Sequence, residues 1–435
     1  MAGNIKVLAL RLLDRFDQHI SAQLLLLHYY HNAGEPCCGG MVGPVGFTGL
    51  HGAAFLGIVE IAEAVLNMKE WDVNATGQAG RTALTWAAGR GQEEVVKMLL
   101  KQEDVNPDQA DTKYGLTPLL WAARNGHSGV VKVLLERGDV NPDQVDTRYG
   151  RTPLSWAARG GHLGIVKMLF EQGDVNLDRV DTASGQTPLS LAAENGRSGV
   201  VKMLLERGDV NPNQASTRYG KVPLLFAAQN GHLEVVKVLL EREDIYPDQA
   251  DDHGKTPLLL AAENGHSEVV KLLLERGDVN HNQVDNLYRR TPLLLAAENG
   301  HSELVKLLLE RGDVNPSQVD SLHGWTPLGW AAMGGHLGAV KLLSQRGDVD
   351  PNLAQRRFDE RPFWWAAQEG NLEVLKTLLE RVDVNSDHNR FGVTPLAGAI
   401  ENGHWEILKI LLNRKDLNPN QLITGYGWHM AGRRS

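Results

Sequence analysis

The sequence predicts an all-α stack of about eleven helix–turn–helix units, and three observations predict it. Thr-Pro-Leu recurs at residues 117, 152, 187, 256, 291, 326 and 394. Degenerate copies stand in the gaps, as Thr48-Gly-Leu, Thr82-Ala-Leu, Val222-Pro-Leu and Arg361-Pro-Phe, so the period stays close to 35 residues. Every copy leads into two short apolar stretches with helical spacing, separated by a Gly turn.

The stretch from Gly254 to Asn280 shows why each unit folds this way. Thr256 is a good N-cap, and Pro257 sits at the first helical position, where a missing N–H costs nothing. Ala261 and Ala262 give the first helix a slim face for close approach, and Asn264-Gly265 stops it with a residue suited to left-handed backbone. From Ser267 to Arg276, Val269, Val270, Leu272, Leu273 and Leu274 form a broad buried stripe, with Glu268, Lys271 and Glu275 toward water. Gly277 is expected to close this second helix. The Asn, Asp, Pro and Tyr-Gly or His-Gly residues that follow are turn chemistry suited to a projecting hairpin loop.

Two short helices cannot bury their own apolar face, so the units must stack and share a core. The slim Ala-bearing helices imply curvature toward their side, a concave groove there, and a length of roughly 100 Å at helix spacings of about 8–10 Å. Units are expected to start near 48, 82, 117, 152, 187, 222, 256, 291, 326, 361 and 394, making an array over residues 47–418. Residues 1–46 fall outside the period. Their apolar segment Ile5 to Tyr30 reads as an N-terminal capping helix, with the remnant of an upstream domain as the alternative. Residues 419–435 read as a truncated hairpin and frayed tail.

The pattern G-x-T-P-L-x-x-A-A-x-x-G-H-x-x-V-V-K-x-L-L-x-x-G-D-V-N, from Phe47 to about Asn418, resembles the ankyrin repeat. The resemblance implies a non-catalytic scaffold that binds proteins. One position departs from the family pattern: His after Thr-Pro-Leu survives only as His51, which implies weaker loop-to-loop hydrogen bonding elsewhere. The N-terminal stretch running into Gly-Phe-Thr-Gly-Leu-His-Gly-Ala-Ala is also similar to the junction before the ankyrin arrays of fungal NACHT-type signalling NTPases. That implies an alternative role as the sensor arm of such an NTPase.

Composition narrows the partner. A net charge of −9 without a basic run disfavours nucleic acid and anionic membrane. The two cysteines, Cys37 and Cys38, are adjacent, which suits a reducing compartment, so the cytoplasm is expected with the nucleus as the alternative. Arg11, Asp14 and Arg15 break any secretory signal, and no segment is apolar for long enough to span a bilayer.

Isolated motifs resolve into structure. Gly254-Lys255-Thr256 ends like a phosphate-binding loop, yet Gln249 stands where the earlier glycine belongs. Arg-Gly-Asp at 137, 207, 276, 311 and 346 falls at the end of the second helix each time. His28, His31, Cys37 and Cys38 fit no zinc-finger spacing. The histidines at 127, 162, 232, 266, 301, 336 and 404 are turn residues, and Trp86, Trp121, Trp156, Trp330 and Trp365 exchange with Leu or Phe as core residues do. No catalytic group and no cofactor or metal is expected.

Recognition is expected at two rows. One is the loop tips: Lys113, Tyr114, Arg148, Tyr149, Arg218, Tyr219, His253, Tyr288, His323, Arg357, Phe358, Arg390 and Phe391. The other is the first-helix position after Ala-Ala: Arg124, Arg159, Glu194, Gln229, Glu263, Glu298, Met333, Gln368 and Glu401. Tyr and Arg favour hot spots, and the charge along the second row changes sign. The expected partner is a protein or peptide, and the chain is expected to be a monomer. Val222, which lacks a capping hydroxyl, and Arg289 and Asp359, which replace tip glycines, are the expected weak points.

Overall fold

The computed structural model of the chain describes residues 48–67, 72–173, 175–351, 361–381 and 394–414. The N-terminal stretch 1–46, the 419–435 tail, the His28/His31/Cys37/Cys38 group, Asp359 and the tip residues Arg357, Phe358, Arg390 and Phe391 lie outside the described residues. The described residues hold 22 α-helices and one short 3-10 turn, and no strand. The chain divides into two compact blocks, Met1–Arg218 and Tyr219–Ser435.

In the first block the first helices of successive units are Gly49–Leu56, Ala83–Arg90, Pro118–Asn125, Pro153–Gly160 and Pro188–Glu194. Their second helices are Val59–Leu66, Glu93–Leu100, Ser128–Glu136, Leu163–Phe170 and Ser198–Leu205. The second block repeats the pair six times, from Pro223–Gln229 with Leu233–Leu240 to Pro395–Glu401 with Trp405–Leu412. Within each block first helices pack on first helices and second on second, so the core runs between units. The unit at Thr117 shows the forces. Thr117 Oγ1 accepts the Leu120 N–H at 3.2 Å, a cap worth about 1 kcal/mol, and Pro118 begins the helix. Gly126 ends it at φ 80°. Leu119, Ala122 and Ala123 are fully buried, as are Val131 and Leu134 of the second helix. Each such leucine contributes about 1.5–3 kcal/mol on burial.

Two expectations need correction. Gly277 does not close the Ser267–Glu275 helix with left-handed backbone: it is absent from the positive-φ glycines, and the preceding Arg276 is already extended at ψ 134°. The side chains of the Arg-Gly-Asp motif close the turn instead. Arg276 Nη1 donates to the Leu240 carbonyl one unit back at 2.9 Å, while Arg276 Nη2 pairs with Asp278 at 2.7 Å. Arg346 does the same with Leu309 and Asp348. A cation at the exposed carbonyl end of a helix is favourable, so this motif is a helix stop.

The loops are also better tied than the missing histidines imply. Successive tips are joined through their backbones: Thr147 N–H donates to Tyr114 O at 3.0 Å, Thr182 N–H to Tyr149 O at 2.8 Å, and, in the second block, Asn286 N–H to His253 O at 2.8 Å. A second ladder runs through the Asn-Pro-Asp and Tyr-Pro-Asp segments, where Asp108 accepts Asn141 N–H and Asp248 accepts Asn280 N–H. Loop-to-loop bonding therefore uses backbone and Asp where the family pattern would use His.

Where the histidine is present it behaves as the pattern implies. His51 is 1% exposed; Nδ1 accepts from Thr48 N–H at 3.1 Å, and Nε2–H donates to the Ala75 and Arg81 carbonyls at 3.0 and 3.1 Å. Burial pulls its pKa from 6.5 to about 4, against the raising effect of the two carbonyls. The ring is neutral in the folded chain. Between these values the unfolded chain takes up a proton that the folded one refuses, so stability falls as pH drops from 6.5 toward 4, by up to roughly 3 kcal/mol. Urea unfolding at pH 7 and pH 4.5 should show this loss, and His51→Gln should flatten the dependence over that window. An equal loss in the variant would assign the effect to other groups.

At two of the expected weak points the local geometry is the one anticipated. Val222 caps its helix without a side-chain hydrogen bond, and Arg289 adopts φ 55° in the tip glycine's place.

Candidate binding surface

In most described units a buried carboxylate organises the turn tip and ties it to the first helix. Asp146, 2% exposed, accepts the backbone N–H of Arg148 at 2.9 Å, Tyr149 at 2.6 Å and Arg151 at 3.2 Å, and the indole N–H of Trp156 at 3.0 Å. Asp111 binds Tyr114 N–H and the Trp121 indole, and Asp320 binds His323 N–H and the Trp330 indole. In two of the units that carry Leu instead of Trp, an arginine takes the place of the indole: Arg151 Nε reaches Asp181 at 3.0 Å and Arg290 Nε reaches Asp285 at 2.9 Å. Trp121 and Trp156 are therefore core residues with a polar task, since a buried indole N–H needs an acceptor, and half-buried Trp330 shares that task. The Asp row was missed from sequence, although its signal is there: Asp stands ten residues before Trp at 111/121, 146/156 and 320/330.

The recurring histidines do more than turn the chain. Through Nε2 they bond the last carbonyls of the preceding first helix, as His127 to Gly89 at 3.1 Å, His301 to Glu263 at 3.2 Å and His336 to Glu298 at 2.9 Å. Where Asn371 stands instead, its amide donates to the Ala332 and Met333 carbonyls at 2.9 Å.

The expected tip residues differ in what they present. Tyr114 and Tyr149 are half-buried against the cluster of Leu116, Leu120, Trp121 and Trp156. Lys113 lies over Tyr114, and Arg148 over both tyrosines at 5.4 and 5.1 Å. Arg218 and His253 are exposed, as is Tyr219 at 41%, whereas Tyr288 and His323 are half-buried. In the second block exposed Leu287 and Leu322 take the place of the tip cations, so among the described residues the cations at this tip position belong to the first block.

The row after Ala-Ala also differs between blocks. In the first block Arg124 and Arg159 are exposed. Arg124 lies over Trp121 and Trp156 at 5.4 and 4.9 Å, and Arg159 over Trp156 at 5.9 Å. Burial, and then the nearby Arg151 and Arg124 charges, lower the pKa of Arg159, with Glu194 opposing. Glu194 receives Gln186 Nε2 at 3.1 Å. In the second block the row is half-buried over Gln229, Glu263, Glu298, Met333 and Gln368, and exposed at Glu401. Its anions have cations beside them: Lys255 meets Glu263 at 2.6 Å and Arg290 meets Glu298 at 3.3 Å, while Lys221 donates to Gln229 at 2.6 Å. Burial raises the pKa of Glu298, with Arg290 opposing.

The comparison with known families is decisive at this point. A model described as ankyrin repeats (3 copies) matches residues 50–146, 138–216, 209–283, 278–355 and 347–422. The chain belongs to the ankyrin-repeat family. Ankyrin repeats are in general protein–protein interaction modules, and proteins built from them are typically non-catalytic. No curated protein matches the chain. The family match begins at residue 50 and lends no support to the NACHT-type resemblance of the N-terminal stretch. Among the described residues, no group of His, Cys, Asp and Glu is arranged to hold a metal, and no helix is long and apolar enough to cross a membrane.

Proposed function

We propose that this ankyrin-repeat chain is a non-catalytic scaffold that holds a segment of another protein along its first helices and turn tips. One observation carries the proposal. At the position after Ala-Ala the fold fixes the backbone and both neighbours, yet the occupant changes from Arg to Glu, Gln and Met along the chain and is half-buried or exposed throughout. A position that the core does not constrain, repeated on a rigid frame, is where recognition can be written without cost to folding. The tips at Tyr219 and His253 are exposed as well.

Affinity capture from an extract of the cell of origin tests this. The intact chain should retain a specific protein, and a variant carrying Arg124→Ala, Arg159→Ala, Tyr219→Ala and His253→Ala should lose it while melting at the same temperature. Retention of the same protein by the variant would reject these two rows. Tyr149 is a poorer target, because its ring packs edge-on against Trp156 at 5.8 Å and its loss would also cost packing.

A further inference from the structure

We propose that the Arg–Trp face of the first block takes an extended acidic segment of its partner, with carboxylates about three residues apart bound by Arg124 and Arg159. This rests on the scaffold function above and names the chemistry of what is held. Both guanidinium groups are exposed and lie over tryptophan rings, and among the described residues neither has a carboxylate at ion-pair distance nor a side-chain hydrogen bond. A guanidinium held over a ring keeps N–H groups for a carboxylate, which it can bind in bidentate geometry. The ring contact also restrains the side chain, so less freedom is lost on binding.

The second block supplies the internal comparison. There the residue before the Thr cap and the residue after Ala-Ala form a pair of opposite charge, Lys255 with Glu263 and Arg290 with Glu298. The same two positions in the unit at Thr152 hold Arg151 and Arg159. Arg151 is drawn aside to buried Asp181 at 3.0 Å, which leaves Arg159 to repel both Arg151 and Arg124. Glu194 is the carboxylate that opposes this repulsion, and Arg148 and Arg90 add positive charge over Tyr149 and Phe55. An anion from outside would relieve the repulsion. Packed helices stand about 8–10 Å apart, and a segment in the polyproline II conformation advances about 3.1 Å per residue with three residues per turn, so acidic side chains at i and i+3 lie on one side of it and would match arginines on adjacent first helices. The net charge of −9 opposes any long polyanion, so the local arginines suit a short segment with two carboxylates better than a phosphate backbone, which rewards a concentrated cationic surface.

The test is fluorescence anisotropy with the full chain and a labelled twelve-residue peptide carrying Glu at every third position. The Glu peptide should bind, with affinity falling as salt rises. Its Gln counterpart should bind at least ~10-fold more weakly, and Arg124→Gln or Arg159→Gln should each weaken the Glu peptide ~5–10-fold. Lys271→Gln, on an exposed second-helix site, should change nothing, and circular dichroism would confirm that each variant is folded. No binding of the Glu peptide, equal binding of the Glu and Gln peptides, or unchanged binding by both arginine variants would overturn the proposal. So would tighter binding of a single-stranded oligonucleotide through the same arginines. If these tests fail while cellular capture still depends on the two rows, the acidic partner is wrong and the scaffold stands; failure of both rejects the scaffold.

Discussion

Asp146→Ala is expected to destabilise the first block by about 3–5 kcal/mol, the largest single effect among the surface-facing turns. The side chain is almost completely buried and satisfies three backbone N–H groups and the Trp156 indole. Alanine would leave these donors facing a cavity, and each unsatisfied buried donor costs roughly 1–3 kcal/mol less whatever water can recover. Urea unfolding followed by tryptophan fluorescence measures the loss. Asp146→Asn separates hydrogen bonding from volume: it keeps one acceptor and the shape, so it should lose about half as much. A loss below about 1 kcal/mol in the alanine variant would show that the carboxylate is dispensable and that Trp156 packing holds the tip. The effect should be accompanied by weakened capture of any partner that contacts Arg148, because the turn that carries it would loosen.

Gly265→Ala is expected to cost about 2–4 kcal/mol, for two separable reasons. Gly265 sits at φ 80°, where a side chain costs roughly 1–2 kcal/mol, and an added Cβ would meet the His301 ring at 2.7 Å. Removing the ring relieves only the second term. His301→Ala alone loses its bond to the Glu263 carbonyl, about 1 kcal/mol, while the double variant should be more stable than the sum of the two single losses predicts. Additivity in this cycle, measured by chemical denaturation, would show that glycine is kept for its backbone alone. The recurrence of Gly beside His in this chain therefore records a contact between neighbouring units as well as a turn within one.

Much of this was legible in the sequence because the relevant physics is local. The Thr cap, the Pro that begins the helix, the Ala pair, the Leu and Val stripe and the Gly stop act over a few residues, and their repetition multiplies a weak signal. The weak cap at Val222 and the strained tip at Arg289 were legible for the same reason. The two rows proposed for binding were legible as positions only. That Tyr149 turns inward against Trp156 while Tyr219 stays out depends on neighbours contributed by other parts of the fold, which no spacing rule reports.

The sequence by itself determined that the chain is all-α, that its units repeat at close to 35 residues, and that stability must come from stacking, since one unit is too small to bury its own apolar stripe. Only the tertiary structure decided which polar groups cross between units. Arg151 could have paired with any of several carboxylates, and it reaches Asp181, thirty residues on. His301 could have been a simple turn residue, and it bonds a carbonyl 38 residues earlier. Helix formation is governed by near neighbours in the chain, whereas hydrogen bonds and charges are governed by distance in space, and stacking brings a different set of residues into reach.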